Sequence, residues 1–375
     1  MIPICCITYN RKNSLERLLK SLDAAIYDEE VTLIISVDKS DSDEVERYSD
    51  AYQWTHGKKL VIKHDTNLGL RKHILSCGEL LKEYEAMIVL EDDITVAASF
   101  YRYAKQCVER FSDDMQCAGI SLYSFQRNYQ NRLPFIPLRT DSDVYKMSCA
   151  QSWGQVWMRE QWFEFMKWYN DNSDEFEESP LLPKTICRWP KSSWLKYHTR
   201  YCIEKNKYFI YPYVSLSTNN GDVGVHADKR FSSFQTQLQF GEKKEFLLNP
   251  EIHYDGFFEN TQLYKYLGIN KNEICIDLYG EKSNREKKRY WLTGKRENFK
   301  VINSYALDLI PWEMNIIDER KGYGIFLYDT NYPHPLNFYG DDNVVSYFYH
   351  NIPNSVLKNY VRKKLSNYVK RLFRW

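Results

Sequence analysis

The 375-residue sequence lacks a long apolar segment, an excess of one charge and any regular spacing of cysteines. No apolar run approaches the roughly 18 residues that a membrane-spanning helix needs. The 51 Lys and Arg residues nearly balance the 50 Asp and Glu residues, so we expect no nucleic-acid partner. The odd number of cysteines, nine, predicts reduced thiols and a cytoplasmic protein. No charged region precedes the first apolar segment, so we expect no signal peptide.

The most informative segment is an apolar run, residues 87–90, that ends at three carboxylates, Glu91, Asp92 and Asp93. Four consecutive apolar residues predict a strand buried on both faces. Ligands of open α/β sheets bind at the carboxyl ends of the strands. Three carboxylates at such a position repel one another unless a cation joins them, and Mg²⁺ or Mn²⁺ prefers oxygen ligands of this kind. The alternative is an acidic surface turn.

Apolar strands and amphipathic helices alternate along the first 95 residues. This alternation predicts an α/β fold with a parallel, right-handed wound sheet and a nucleotide-binding half at 1–95. The G-x-G-x-x-G and P-loop patterns are absent, which disfavours dinucleotide oxidoreductases and P-loop kinases. The predicted strands are 2–8, 31–37, 60–63 and 87–90, and the predicted helices begin near residues 13, 43 and 70.

The pattern is less regular beyond residue 95, where we predict an acceptor half at 96–240 that completes a first domain, 1–240. A Tyr-rich segment with Asn, Gly and Pro at 241–350 predicts a smaller accessory region. A basic amphipathic helix is predicted at 351–375. The elements predicted between 96 and 240 are helices at 97–110 and 153–168, strands at 116–122 and 208–217, and a polar loop at 126–143.

Six short segments, in order along residues 1–230, resemble inverting nucleotide-sugar glycosyltransferases of the GT-A fold. The likeness is to the bacterial family-2-type group and, more distantly, to the GlcNAc-transferase that begins complex N-glycans. It implies a Rossmann-like GT-A sandwich with a mostly parallel central sheet. The six segments are Thr8-Tyr9-Asn10-Arg11, Val37-Asp38, Asn67-Leu68-Gly69-Leu70-Arg71, Leu90-Glu91-Asp92-Asp93, Ser152-Trp153-Gly154, and Tyr211-Pro212 followed by Asn219-Asn220-Gly221 and His226.

The first two segments fit a nucleotide. The turn that holds Thr8, Asn10 and Arg11 offers backbone groups and a guanidinium to a nucleobase and phosphates, although a surface arginine is the alternative. Asp38, at the end of a predicted strand, can accept hydrogen bonds from a base or ribose. A helix cap near residues 40–43 is the alternative for Asp38.

The third segment fits a pyrophosphate. Beside Asn67, Gly69 permits close approach of the backbone, and the helix that begins near Leu70 has an N-terminus that favours anions. Arg71 can contact the same phosphates, with a solvated helix face as the alternative.

The remaining segments fit the metal and the sugar. In the family, the last acidic residue of the triplet binds the metal, which implies Asp93, with Glu91 and Asp92 beside the donor. The resemblance also assigns His226 to the metal or diphosphate, with an exposed turn histidine as the alternative. Trp153 and Gly154 would form the floor of the sugar site, with core packing as the alternative.

The catalytic base stays unassigned. The resemblance implies a carboxylate base near residues 189–196, but that stretch contains no Asp or Glu. The candidates are an acidic run that ends at Glu178, and Asp222 in the Gly-rich turn. Inversion and retention therefore both stay open.

The C-terminal segment 355–375 carries seven Lys or Arg residues and no acidic residue, with apolar residues at helical spacing. Such a helix is typical of an element that binds an anionic membrane surface. A terminal helix packed on the body of the protein, with a solvated basic face, is the alternative.

Together these patterns predict a metal-dependent glycosyltransferase, either hexosyl or N-acetylhexosaminyl. It would use a nucleotide-diphosphate sugar, a UDP-sugar being favoured, and Mn²⁺ or Mg²⁺. The acceptor would be a glycan or a lipid-linked glycan of surface polysaccharide biosynthesis, at the inner face of the cell membrane. The rival hypotheses are a nucleotidyltransferase and a catalytically degenerate scaffold that binds sugar nucleotides. The first would need a basic Gly-rich loop after strand one, and residues 8–12 contain no Gly.

Overall fold

The computed structural model of the protein describes residues 1–173, 176, 178–223, 234–282, 288–335, 344–349 and 352–372. The side chains at 345 and 367–372 lie outside this description. All nine cysteines are described, and none is paired in a disulfide.

The first 91 residues form four strands and three helices in strict alternation. The strands run parallel in the order β3-β2-β1-β4, because each helix carries the chain back across the sheet. In the register, Thr8 pairs with Val37 and Ile7 with Glu91, so the three strands end at one edge. The elements are β1 (Ile4–Thr8), α1 (Lys12–Asp23), β2 (Leu33–Val37), α2 (Glu44–Ala51), β3 (Lys59–Lys63), α3 (Leu70–Gly78), a 3₁₀ turn (Glu79–Lys82) and β4 (Ala86–Glu91).

The following elements extend this sheet to nine strands in the order β11-β7-β9-β6-β8-β4-β1-β2-β3. Five of its eight pairings are parallel, which confirms the predicted α/β class with a mostly parallel sheet. The elements are β5 (Ile94–Val96), α4 (Phe100–Phe111), β6 (Cys117–Ser121), β7 (Val144–Met147), β8 (Gln155–Met158), α5 (Arg159–Asn172), α6 (Lys184–Cys187), α7 (Leu195–Glu204), β9 (Tyr208–Pro212), β10 (Ser217–Asn219) and β11 (His253–Tyr254).

Successive side chains of β1 enter two different apolar clusters, one on each face of the sheet. Ile4 and Cys6 belong to one cluster, and Cys5 and Ile7 belong to the other. The continuous apolar sequence of this strand therefore reflects burial on both faces.

A second sheet follows the first, with four strands in the order β12-β13-β15-β14. One face contributes Trp291 and Tyr328 to a small cluster, and the other contributes Leu292 and Leu327 to the large cluster under the main sheet. The domain boundary predicted at residue 240 stays a prediction. Strand β11, which lies beyond residue 240 in the sequence, pairs with β7 of the large sheet. The elements are α8 (Tyr264–Leu267), β12 (Ile274–Asp277), β13 (Tyr290–Thr293), β14 (Phe299–Tyr305), α9 (Glu313–Ile317) and β15 (Ile325–Pro333).

Two helices end the chain, α10 (Val344–Tyr349) and α11 (Asn354–Leu372). Helix α10 packs on the second sheet's unit, where Tyr347 donates a hydrogen bond to the Leu309 carbonyl at 2.7 Å. Every described side chain of α11, from 354 to 366, is exposed. Among the described residues, no helix has the length and apolar character needed to cross a bilayer.

Two sequence predictions were wrong in this region. The helix predicted at 153–168 is a strand, β8, followed by α5, because residues 155–158 pair with both β4 and β6. The strand predicted at 208–217 is interrupted, and its last part belongs to β10, which pairs with β5 instead.

Candidate functional site

The carboxylates after β4 lie against the turn after β1, at the edge where the parallel strands end. The Thr8 hydroxyl donates a hydrogen bond to Asp92 Oδ2 at 2.9 Å. Arg11, at the start of α1, forms an ion pair with Asp92 and places Nη1 3.3 Å from Asp93 Oδ2. The turn after β1 and the turn after β4 are therefore in direct contact.

The carboxylates outnumber the nearby positive charge. Burial, followed by the neighbouring Asp93, raises the pKa of Glu91 to about 8. Burial also raises the pKa of Asp92 to about 6, although Arg11 acts in the opposite direction. Burial lowers the pKa of Arg11, but Asp92 and Asp93 outweigh it and raise that pKa. The turn therefore has an unbalanced negative charge that favours a cationic ligand.

Asp93 is the carboxylate with the best position for a metal ion. Its Oδ1 is buried without a hydrogen-bond partner, whereas Thr8 and Arg11 already engage Asp92. No group of three or more His, Cys, Asp or Glu side chains suited to a metal is found in the described part of the chain. A magnesium-like ion needs only one or two protein carboxylates when phosphate oxygens and water complete its shell, so Asp93 fits this role.

A cavity of about 760 Å³ opens beside this turn, and we call it the donor cavity after the sugar donor that the sequence resemblance implies. Its size is in the range of small-molecule sites, and its walls combine carboxylates and amides with six aromatic side chains. The aromatic surface consists of Phe125, Tyr129, Trp153, Trp189, Trp194 and Phe234. The other lining residues are Leu70, Glu91, Asp93, Arg132, Cys149, Ala150, Gln151, Ser152, Thr185, Pro190, Ser193, Leu195, Asn219, Gly221 and Asp222.

The antiparallel pair of β5 and β10 brings the segment after β10 to Asp93. Asn220 donates hydrogen bonds to the Asp93 carbonyl from its backbone N–H at 2.8 Å and from Nδ2 at 2.9 Å. Two residues later, Asp222 accepts a hydrogen bond from the Ser14 hydroxyl at 2.8 Å and forms an ion pair with Arg17. This segment is thus fixed at both ends against the turn and α1.

The environment of Asp222 keeps its carboxylate ionised. Partial burial raises the pKa of Asp222, but the hydrogen bonds from Arg17 and Ser14 outweigh it and leave the pKa below its ordinary value. Asp222 lines the donor cavity. Glu178, the other base candidate, is exposed and does not line that cavity.

Asp38 shapes the next turn instead of capping the helix after it. Its carboxylate accepts hydrogen bonds from the backbone N–H groups of Leu68 at 2.8 Å and Gly69 at 3.0 Å. Asn67 donates from Nδ2 to the Lys39 carbonyl at 2.7 Å. These bonds join the turns after β2 and β3 at the same edge of the sheet.

A second hollow of about 560 Å³ lies between those turns. Tyr9, Lys39 and Asn67 line it, together with Ser40, Asp41 and Asp43. An aromatic ring with surrounding polar groups suits a planar heterocycle. Asn10, the residue after Tyr9 in the sequence, is exposed to solvent.

The turn into α3 has the backbone geometry that the sequence predicts. Gly69 has φ +72°, a left-handed conformation that residues with a Cβ rarely adopt, and its carbonyl accepts the first helical hydrogen bond from His73. Leu70 lines the donor cavity. Arg71 points its guanidinium at Tyr197 of α7, with Nη1 3.2 Å from the phenol oxygen and Cζ 5.4 Å from the ring centre.

Trp153 and Gly154 lie together at one wall of the donor cavity. The Trp153 ring packs 4.4 Å from the Phe234 ring and lines the cavity. Gly154 has φ +95°, and a Cβ there would lie 2.8 Å from the Ser217 hydroxyl. Glycine is therefore required at position 154, because a side chain would collide with Ser217. The close packing at Gly154 fixes the position of the neighbouring Trp153. His226, the second predicted metal ligand, lies outside the described residues.

Sequence reasoning missed the aromatic wall of the donor cavity. Tyr129 belongs to the segment predicted as a polar loop, and Phe125 directly precedes that segment. Trp189 and Trp194 lie within the stretch searched for a base. The concentration of tryptophans near 189–194 was the available signal, since that stretch does reach the cavity.

No protein-family model matches this chain, and no curated protein matches it. Among solved structures, a fragment of S. aureus TarS in complex with UDP-GlcNAc is 14% identical, with a TM-score of 0.36 over 60% of this chain and 60% of that chain. GalNAc-T7 with UDP, GalNAc and Mn²⁺ is 14% identical, with a TM-score of 0.39 over 57% of this chain and 43% of that chain. The mannosyltransferase PcManGT from Pyrobaculum calidifontis, in complex with GDP-Man and Mn²⁺, is 13% identical, with a TM-score of 0.35 over 57% and 58%. The chain spans less than two thirds of each of these proteins.

Proposed function

We propose that this protein is a metal-dependent glycosyltransferase that transfers a sugar from a nucleotide-diphosphate donor, a UDP-sugar being favoured, to a glycan acceptor. One observation carries the proposal. The carboxylate turn of Glu91 and Asp93, the start of α3 and an aromatic wall line one cavity at the carboxyl edge of parallel strands.

Each part of the donor has a matching surface. The hollow lined by Tyr9 and Asn67 suits the nucleobase and ribose, beside the turn that Asp38 holds. The N-terminus of α3 at Leu70 suits the diphosphate. Trp153 and the other rings of the donor cavity suit the apolar face of a sugar.

A divalent cation held by Asp93 would neutralise charge on the departing diphosphate, which is electrophilic assistance to the leaving group. Arg11 holds the Asp93 carboxylate beside the cavity at 3.3 Å. Among the described residues that line the cavity, Asp222 is the carboxylate outside the β4 turn, and we assign it to orient the acceptor or take its proton.

The exposed helix α11 supports a role at a membrane. Its apolar side chains, such as Leu357 and Leu365, stay exposed, which argues against a helix packed on the body. Its basic residues suit an anionic leaflet, each adding about 1 kcal/mol of attraction. We propose that α11 brings the enzyme to lipid-linked glycan acceptors in surface polysaccharide biosynthesis.

Calorimetry and a turnover assay test this proposal together. The wild-type protein should bind UDP in the presence of Mn²⁺ and should convert a UDP-sugar at a rate that depends on Mn²⁺. Asp93→Asn should lose both properties, whereas Glu178→Gln, an exposed carboxylate outside the cavity, should keep both.

The rival hypotheses give different results in the same assays. A binding-only scaffold would bind UDP with Mn²⁺ but release no sugar from any UDP-sugar. A nucleotidyltransferase would release pyrophosphate from a nucleoside triphosphate, with a sugar phosphate as acceptor. Absence of UDP binding by the wild-type protein would contradict the proposed function.

A further inference from the structure

A second concave surface lies on the four-stranded sheet, between strands β13 to β15 and helix α8. It encloses about 540 Å³, and we call it the tyrosine groove. Its described lining residues include none of those that line the donor cavity. The groove is therefore a separate candidate binding site.

The groove presents aromatic surface to solvent. Tyr266 and Tyr332 are 51% and 54% exposed, and Tyr290 lines the groove with part of its ring buried. A folded protein has little reason to leave two large rings exposed in one concavity unless a ligand covers them. These rings combine an apolar face with a polar hydroxyl, so they favour a ligand that has both characters.

The polar groups of the groove are planar and held in place. Arg289 donates to Asp329 Oδ2 from Nε at 3.1 Å and from Nη2 at 2.9 Å. Asn303 donates from Nδ2 to the Tyr305 hydroxyl at 2.9 Å and accepts from Lys321 at 3.0 Å. Fixed planar donors and acceptors suit paired hydroxyl groups on a ligand.

The charges of the groove cancel. Its charged lining residues are two cations, Arg289 and Lys300, and two anions, Glu319 and Asp329. A balanced site has no general attraction for a polyanion, and it disfavours nucleotides and acidic polymers. The ligand is expected to be neutral.

From these observations we infer that the tyrosine groove binds a neutral oligosaccharide. The C–H faces of pyranose rings would pack on Tyr266, Tyr290 and Tyr332, and ring hydroxyls would pair with Arg289 and Asn303. The inference rests on the proposed function in one respect, since the bound glycan would be the growing acceptor chain. The groove then holds a distant part of the acceptor while its end enters the donor cavity.

The test measures glycan binding to the full-length protein without a donor. Maltohexaose, cellohexaose and chitohexaose are neutral probes, and oligogalacturonate is the anionic probe. At least one neutral probe should bind, and Tyr266→Ala combined with Tyr332→Ala should weaken it by about tenfold. Tyr323→Ala is the matched control, because Tyr323 is 59% exposed on the same unit and does not line the groove.

The outcomes separate this inference from the proposed function. Asp93→Asn should bind the neutral probe as the wild type does, even when turnover is lost. Glycan binding without any sugar transfer by the wild type would leave the groove in place and contradict the transferase. The inference is overturned if no neutral probe binds, if only oligogalacturonate binds, or if the double variant, with an unchanged melting temperature, binds like the wild type.

Discussion

Replacing Arg11 with glutamine tests whether the carboxylate turn is built for a cation. Arg11 forms an ion pair with Asp92 and lies 3.3 Å from Asp93 Oδ2. The Arg11 side chain is 24% exposed, and the side chains of its partners are 3% and 14% exposed. Arg11→Gln removes the positive charge and leaves three carboxylates in a site that water reaches poorly.

The geometry sets the size of the effect. Two unit charges 3.3 Å apart attract by about 5 kcal/mol at an effective dielectric constant of about 20. Breaking a buried pair by removing one partner costs about 3–5 kcal/mol, because the other charge is left uncompensated. Arg11 is partly exposed, and the pKa of Asp92, which Arg11 lowers, would rise on its removal and allow partial neutralisation. We therefore expect a loss of about 3 kcal/mol in the free energy of unfolding.

Urea unfolding with and without saturating MnCl₂ measures both effects. A cation that binds only the folded state at a concentration 100 times its Kd adds about 2.7 kcal/mol. The gain should be larger in Arg11→Gln than in the wild type, because the cation then meets carboxylates without a counter-charge. Arg47→Gln is the control, since its exposed pair with Asp43, at 3.0 Å, should be worth less than about 1 kcal/mol.

Two results would refute the reasoning about Arg11. A loss as small as that of the control would mean that the carboxylates need no counter-charge. Equal stabilisation of wild type and Arg11→Gln by MnCl₂ would mean that the cation binds away from the carboxylate turn.

The other predictions concern the metal ligand, a buried acid, a glycine and the terminal helix. Asp93→Asn should abolish Mn²⁺-dependent UDP binding in calorimetry, with an unchanged circular dichroism spectrum. Burial raises the pKa of Glu313 from 4.5 to about 7, so this group alone should lower wild-type stability by about 3 kcal/mol as pH rises through this interval; in urea unfolding, the fall should be smaller by about that amount in Glu313→Gln. Gly154→Ala should lower stability by about 1–3 kcal/mol, because a side chain at φ +95° is strained and its Cβ would approach Ser217; a melting curve shows this. Deleting residues 354–375 should remove sedimentation with anionic vesicles and leave the melting temperature unchanged; equal sedimentation of both proteins would contradict the membrane role.

Much of the first half was predictable because its signals are local. Residues 87–90 are apolar throughout, as a strand buried on both faces requires, and the three acids that follow mark its end. Once parallel strands are inferred, their carboxyl ends must meet at one edge. The contact of Thr8 and Arg11 with Asp92 follows from this rule, although the ion pair itself was not predicted.

The second half was less predictable because its positions depend on distant partners. Residues 155–158 read equally well as the start of a helix, and only the space between β4 and β6 makes them a strand. The roles of Tyr129 and Trp189 in the donor cavity depend on connections that carry no periodic pattern. Asp38 shows the same limit, since its partners Leu68 and Gly69 are 30 and 31 residues away in sequence.

The carboxylates that reach the donor cavity limit which residue can act as the base. The stretch 189–196 does line the donor cavity, through residues such as Ser193 and Trp194, but it brings no carboxylate there. Asp222 brings one, yet its bonds to Arg17 and Ser14 hold its pKa below the ordinary value. A carboxylate so stabilised in its charged form is a weak proton acceptor near neutral pH. It becomes a stronger one only if an acceptor displaces Arg17, so in this chain the approach of the acceptor and the activation of Asp222 would be the same event.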